Sequence, residues 1–200
     1  MIEKIKNRRV ILASASPRRR EILSEMGIKF TVITADTDES CDERDPEKYA
    51  KFLAEKKGQA VYQLLCDRGE SGDAFIISAD TVVASCGKIL GKPRDRQDAV
   101  DMLSSLRGHG HEVVTGIAIT VDGVSYSDAS VTRVMVDDMT DADIEEYVDS
   151  GDPMDKAGAY GIQGQFSKWV SGIEGCYFGV VGLPTNKLNR LIKKVEALID

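Results

Sequence analysis

The segment that most constrains the fold is Ser-Ala-Ser-Pro-Arg-Arg-Arg at residues 14–20. It follows a short apolar run, residues 10–13, that predicts a β-strand, and Pro17 after Ser16 predicts a helix that begins there with Ser16 as its cap. Three arginines fill the first turn, although positive charge there opposes the helix dipole. A bound anion relieves this conflict. The segment therefore predicts a phosphate site, or arginines that are simply solvated, and spacing alone does not separate the two.

Composition narrows the class of protein. The chain of 200 residues is 42% hydrophobic and 30% charged, which suits one domain, residues 1–200, with a substantial core. The net charge of −7 argues against nucleic acid or an anionic membrane as a partner, so a polyanionic ligand needs a local basic cluster. No signal peptide or membrane span is predicted, and four widely spaced cysteines indicate reduced thiols. We expect a cytoplasmic protein.

Hydrophobic periodicity and turn residues predict an α/β arrangement. Strands are expected at residues 28–34 and 74–84, and in a hairpin whose arms, residues 111–121 and 124–136, meet at Asp122 and Gly123. Helices are expected to begin near Asp45, Asp95, Thr140 and Thr185. A further strand pair is expected from Trp169 and Val170 with residues 177–181.

Asp80 is the one carboxylate in the apolar strand at residues 74–84. A carboxylate in such surroundings is costly unless it is paired, hydrogen-bonded or bound to a metal. We interpret Asp80 as functional. The alternative is an aspartate at the strand end that accepts a hydrogen bond from a nearby backbone N–H.

Other polar groups occur where ligands are often bound, each with a plain structural alternative. The acidic residues 36–43 follow a strand, as ligand-binding groups do in α/β proteins, but such runs are usually solvated loops. Lys56 lies within a helix and Lys92 between a glycine and a proline, so each could be a surface lysine. The small residues at 155–164 suggest close approach of the backbone to a ligand, or a tight structural loop.

Five separated motifs, in this order, resemble the Maf family of nucleotide pyrophosphatases from Leu12 to about Leu188. They are residues 14–19, Ala-Asp-Thr at 79–81, Gly-Lys-Pro at 91–93, residues 155–164 and Gly-Leu-Pro at 182–184. The resemblance implies a two-lobed α/β fold around a long twisted mixed sheet, similar to inosine triphosphate pyrophosphatases. It also makes a homodimer plausible.

The resemblance further implies hydrolysis of a nucleoside triphosphate to the monophosphate and pyrophosphate, with Mg²⁺ or Mn²⁺. Asp80 matches the catalytic base, and Glu39 with Asp80 matches the carboxylates near the metal. The positions that match substrate-binding residues are Ser14, Arg18, Arg19, Lys56, Thr81, Lys92 and Gln163.

Residues 155–164 resemble the branch that hydrolyses dTTP and UTP rather than the branch acting on 7-methyl-GTP. In that branch, positions matching Arg18, Thr81 and Gln163 are associated with substrate choice. A glutamine offers both a donor and an acceptor, as a uracil or thymine edge requires.

Two alternatives remain at this point. One is a pyrophosphatase that prefers a modified nucleotide, and the other is a nucleotide-binding regulator of cell division without essential catalysis. The grouping of Asp80 with basic residues favours catalysis, because binding an anion gains nothing from an unpaired carboxylate nearby.

Overall fold

The computed structural model describes residues 8–199, which form seven strands and six α-helices. The strands are β1 Arg9–Leu12, β2 Thr31–Val32, β3 Ala74–Ser85, β4 Lys88–Leu90, β5 Gly110–Val121, β6 Val124–Val136 and β7 Val170–Glu174. The helices are α1 Pro17–Glu25, α2 Pro46–Asp67, α3 Arg96–Leu106, α4 Asp141–Asp149, α5 Tyr177–Val181 and α6 Thr185–Glu196. Short 3₁₀ segments lie at Asp152–Asp155, Ala157–Ala159 and Gln165–Trp169.

All seven strands belong to one mixed sheet in the order β2-β1-β3-β5-β6-β7, with β4 paired to β3. Strand β1 runs parallel to both β2 and β3, whereas β3, β5, β6 and β7 pair antiparallel with one another in turn. The predicted α/β class and the hairpin of β5 and β6 are confirmed. The likeness to inosine triphosphate pyrophosphatases stays a prediction.

One edge of β3 is interrupted at its centre. Strand β5 pairs with β3 along one side from Phe75 to Ala84. On the other side β1 pairs with β3 only as far as Ile77, and β4 pairs with β3 only from Val83 onward, so residues 78–82 have no strand partner there among the described residues. Asp80 and Thr81 lie in this gap, and because side chains alternate along a strand they point to opposite faces of the sheet.

Helix α2 packs closely against one face of this sheet. A Cβ added at Gly116 of β5 would lie 2.2 Å from the Ala50 carbonyl oxygen, and one added at Gly58 would lie 2.5 Å from Thr120 Oγ1. Both distances are shorter than real contacts allow, so glycine at these two positions lets helix and sheet approach. This approach sets the position of α2 side chains beside Asp80.

Several predicted local features are wrong. Only Thr31–Val32 of the expected strand at 28–34 pairs with β1. Strand β1 ends at Leu12, the partner of Val32, and at the other end the Ile28 N–H is bonded to the Leu23 carbonyl of α1. Residues Tyr177–Val181 form a helix in place of a strand, since Gly179 packs against Ser130 and the N–H of Val180 is bonded to the Cys176 carbonyl. Packing here overrides the strand preference of aromatic and β-branched residues.

Two helix caps also differ from expectation. Ser16 occupies the cap position of α1 with Pro17 following, as predicted, but its side chain makes no capping hydrogen bond. Helix α6 begins with Thr185 inside it and Pro184 at the cap position. At the first helix the free N–H groups therefore remain available to a ligand.

Within residues 8–199 no helix is long and apolar enough to cross a membrane. The longest of these helices, α2, carries charged side chains along its length. Residues 1–7, for which the sequence predicts no signal peptide, lie outside the described residues.

Buried His111 of β5 makes the stability of the folded protein depend on pH. Its side chain is 3% exposed, Nε2 lies 2.7 Å from Tyr160 Oη, and Nδ1 has no partner. Burial lowers the pKa of His111 from 6.5 to about 4. The unfolded imidazole therefore binds a proton as the pH falls below 6.5 while the folded one stays neutral, so stability present above pH 6.5 is lost toward pH 4.

We expect His111→Gln to remove this loss. Urea unfolding of both proteins at about pH 7 and about pH 4.5 should show the acid-induced drop in unfolding free energy reduced by about 2 kcal/mol in the variant. The glutamine amide can still bond to the Tyr160 hydroxyl, so the comparison isolates the titration. Parallel pH profiles for the two proteins would contradict this account.

Candidate active site

The gap in the edge of β3 opens into a cleft of about 980 Å³. The end of β1, the start of α1, the loop after β2 and helix α2 line one part of it, and Gly91, Lys92 and residues 155–157 and 160–163 line another. The sequence-predicted residues that line the cleft are Ser14, Arg18, Arg19, Glu39, Asp80, Thr81, Lys92 and Gln163. One of the predicted set, Lys56, is not among the lining residues.

Arg19 is held in a fixed orientation by three hydrogen bonds. Its Nε donates to the Gly182 carbonyl (2.9 Å), Nη1 to Ser14 Oγ (3.1 Å) and Nη2 to Thr81 Oγ1 (3.1 Å). Burial lowers the pKa of Arg19, with Asp80 opposing that shift and Arg18 adding to it. A guanidinium has five N–H donors, so two remain for a ligand.

Ser14 is buried at the end of the first strand and presents a donor to the cleft. Its oxygen accepts from Arg19 Nη1 and from the Ser16 N–H (3.3 Å). Because both of these groups are donors, the hydroxyl proton of Ser14 is left for an acceptor. An anionic oxygen is the natural partner of this proton.

Asp80 forms a three-membered charge cluster with α2 and the loop after β2. Lys57 Nζ lies 2.5 Å from Asp80 Oδ1 and 2.9 Å from Glu39 Oε1. Asp80 is 8% exposed, so its carboxylate meets the desolvation cost expected from the sequence by pairing with an ammonium. Glu39, predicted only from the family resemblance, is thereby brought next to Asp80.

Lys57 lines the cleft and contacts Asp80, although the sequence does not predict it as a site residue and predicts Lys56 instead. Lys56 Nζ points away from Asp80, donating to the Asp38 carbonyl (2.6 Å) and lying over the Phe52 ring. The signal was present in the helical period, because Lys57 falls on the buried face of α2 marked by Ala50, Leu53, Ala54, Gly58 and Val61. Lys56 falls outside that face.

Lys92 and Gln163 are exposed and line the cleft. Within the described residues neither side chain has a hydrogen-bond or ion-pair partner, so both are available to a ligand. Arg18 Nη2 lies 3.9 Å from Asp155 Oδ2, which links the first helix to the loop that carries Gln163.

That loop is anchored by the half-buried ammonium of Lys156. Lys156 Nζ contacts Asp152 Oδ1 (3.0 Å) and Asp155 Oδ1 (2.7 Å), and the Tyr147 hydroxyl donates to Asp152 Oδ2 (2.7 Å). The stem of Lys156 fills the space where a Cβ at Gly161 would lie. The run of small residues at 155–164 thus serves a tight loop, and the loop also borders the cleft.

The cleft presents two carboxylates, Asp80 and Glu39, of the donor type that divalent cations prefer. In the described part of the chain no three His, Cys, Asp or Glu residues group as a metal site. Asp80 and Glu39 nevertheless converge on one cationic atom, Lys57 Nζ. One or two carboxylates completed by phosphate oxygens and water is the usual donor set for Mg²⁺ at phosphate sites.

The fold and the cleft define a class of α/β protein with one mixed sheet. At the interrupted edge of that sheet, basic side chains cluster beside two carboxylates. Residues 9–195 match the family described as Maf-like protein. The chain belongs to this family, which confirms the resemblance carried by the five sequence motifs.

Curated relatives match nearly the whole chain. A protein of Alkaliphilus metalliredigens (strain QYMF) is 48% identical over 189 residues, 93% of this chain and 95% of the relative. One of Koribacter versatilis (strain Ellin345) is 44% identical over 190 residues, 94% and 95% of the two chains. One of Clostridium perfringens (strain 13 / Type A) is 43% identical over 195 residues, 96% and 99%. All three relatives are named dTTP/UTP pyrophosphatase.

Proposed function

We propose that this protein hydrolyses dTTP and UTP to the monophosphate and pyrophosphate. The observation that carries the proposal is that one cleft combines Arg18, Arg19 and Lys57 with the carboxylate of Asp80. The names of the curated relatives support the same reaction and the same two nucleotides. Related modified pyrimidine nucleotides belong to the proposed substrate range.

In this proposal the triphosphate is held by groups with unused donors. Arg19 has two free N–H donors, Ser14 has a free proton, and Lys92 has no partner among the described residues. Arg18 and Lys57 add positive charge at the same cleft. Such donors stabilise the charge that develops on phosphate oxygens as the bond breaks, without reorganising during the reaction.

Asp80 is the proposed general base. It would accept a proton from the water that attacks the α-phosphorus, while the P–O bond to the leaving pyrophosphate breaks. Lys57, paired with Asp80 and Glu39 in the structure, balances their charge and lies where it can turn toward the phosphate. Asp80 lies in the unpaired stretch of β3 and lines the cleft.

A divalent cation, Mg²⁺ or Mn²⁺, is proposed to be held by Asp80 and Glu39 together with phosphate oxygens of the substrate. When bound, the cation would neutralise charge on the phosphate and lower the pKa of a bound water. The residues themselves orient the nucleotide and remove the proton.

The test is direct measurement of pyrophosphate and of inorganic phosphate from a panel of common and modified nucleoside triphosphates with Mg²⁺ or Mn²⁺. We expect pyrophosphate from dTTP and UTP, with no matching release of inorganic phosphate. Hydrolysis of the purine nucleotides at equal rates would contradict the proposed substrates. Tight binding without release from any nucleotide would contradict the enzyme and favour a binding protein.

A further inference from the structure

A directed chain of hydrogen bonds runs from Arg19 into the sheet. Arg19 Nη2 donates to Thr81 Oγ1 (3.1 Å), Thr81 Oγ1 lies 2.8 Å from Thr115 Oγ1, and Thr115 Oγ1 donates to the Gly179 carbonyl (2.8 Å). A carbonyl only accepts, so the one proton of Thr115 is committed to Gly179. The proton between the two threonines therefore comes from Thr81.

Both ends of this chain are fixed by one short segment. The Gly182 carbonyl accepts from Arg19 Nε (2.9 Å), and the Gly179 carbonyl accepts from Thr115. Thr115 is 0% exposed, so water cannot replace its partner. Because each end is held, neither hydroxyl can reverse its direction without leaving a buried polar group unpaired, which is costly.

The chain makes Thr81 an acceptor toward the cleft. Its oxygen receives one hydrogen bond from Arg19 and gives its proton to Thr115, which leaves a single lone pair. Phosphate oxygens are acceptors and cannot use this lone pair. Ser14 has the opposite polarity, because its oxygen accepts twice and its proton is free.

We propose that Thr115 is a positioning residue that fixes the direction of the Thr81 hydroxyl, so that Thr81 accepts a hydrogen bond from the imide N3–H of uracil or thymine. The inference rests on the proposed function. Thr81 lines the cleft on the face of β3 that meets Arg19, and residues 160–163 line the same cleft. Cytosine has a lone pair at N3, so it would place an acceptor against an acceptor.

The test compares wild type, Thr115→Val and Thr115→Ser with dTTP and dCTP, measuring kcat/KM for pyrophosphate release. In wild type we expect dTTP to be favoured about hundredfold, as for a site built around a base donor. Thr115→Val frees the Thr81 proton to turn toward cytosine, so the preference should fall about tenfold. Thr115→Ser keeps a hydroxyl at this position and should therefore show the wild-type preference for dTTP over dCTP.

Thr120→Val is the matched control. Thr120 lies on the same strand, is equally buried and bonds to Ser125 Oγ, but it is not among the residues lining the cleft. It should leave the ratio of dTTP to dCTP unchanged. If Thr115 had a purely structural role, Thr115→Val would lower kcat/KM for both substrates equally and leave their ratio as in wild type. That result would overturn the inference.

Binding of dTMP and dCMP by calorimetry gives a readout that needs no turnover. Equal affinity of wild type for the two monophosphates overturns the inference even if Thr115→Val does not fold. Preference for dTMP that falls in Thr115→Val, without pyrophosphate release from any substrate, would support the inference and contradict the proposed enzyme. Thr115→Val could instead lower kcat/KM for both dTTP and dCTP but not for 2′,3′-dideoxy-TTP. That result would mean that Thr81 accepts a hydrogen bond from a sugar hydroxyl, and it would overturn the proposed contact with the base.

Discussion

Replacing Asp80 by asparagine is expected to slow pyrophosphate release from dTTP about a thousandfold, since a positioned general base contributes about 10²–10⁴ in rate. Asparagine keeps the size of the side chain and an oxygen that can accept from Lys57 Nζ, now 2.5 Å from Asp80 Oδ1. It lacks the basicity needed to take a proton from water. The measurement is kcat at saturating dTTP for wild type and Asp80→Asn.

The same variant needs two controls. Its unfolding midpoint should match that of wild type, and it should still bind dTTP, because Arg18, Arg19 and Lys92 are unchanged. A rate within tenfold of wild type would contradict Asp80 as the base. An effect on cell division that survives Asp80→Asn would favour a regulator that does not depend on catalysis.

Lys57→Gln is expected to lower kcat/KM for dTTP about hundredfold, in line with the loss of one charged group that stabilises developing charge. The change leaves the carboxylates of Asp80 and Glu39 without the ammonium that contacts both. Negative charge then faces the incoming triphosphate, and a cation that would assist at the phosphate is absent. Initial rates across dTTP concentrations give the measurement.

Lys56→Gln is the matched control, because it makes the same chemical change one residue earlier on the same helix. Lys56 bonds to the Asp38 carbonyl and lies over Phe52 outside the cleft lining, so kcat/KM should stay within about threefold of wild type, as expected for a surface ion pair. The reverse pattern, with Lys56→Gln inactive and Lys57→Gln active, would support Lys56 as the substrate-binding lysine and contradict the role proposed for Lys57.

Much of the fold was predictable because its signals are local. The apolar run before Ser14, the proline at position 17 and the Asp-Gly turn at 122–123 each act through neighbouring residues, and the structure has the expected strand, helix and hairpin there. The helix at Tyr177–Val181 was not predictable in this way. It depends on the contact of Gly179 with Ser130, which lies about fifty residues away in the chain.

The sequence predicted most of the residues that line the site, but not all of the contacts between their side chains. Motif resemblance names Ser14, Arg19, Asp80 and Thr81, which the structure brings to one cleft. The choice between adjacent lysines depends on how α2 is rotated against the sheet, which only its buried face reveals. Thr115 carries no signal in the sequence, because its role comes from a carbonyl on α5 and a hydroxyl on β3.

The interrupted edge of β3 has a consequence for how base preference can diverge. Asp80 and Thr81 are consecutive, yet one side chain meets α2 and the other meets Arg19 and Thr115 on the opposite face. Thr115, which bonds to Thr81, can therefore be exchanged without disturbing Lys57 and Glu39 beside Asp80, while Arg19 stays in place. A duplicated gene could acquire a new nucleotide preference through changes on one face alone while inheriting its hydrolytic chemistry intact.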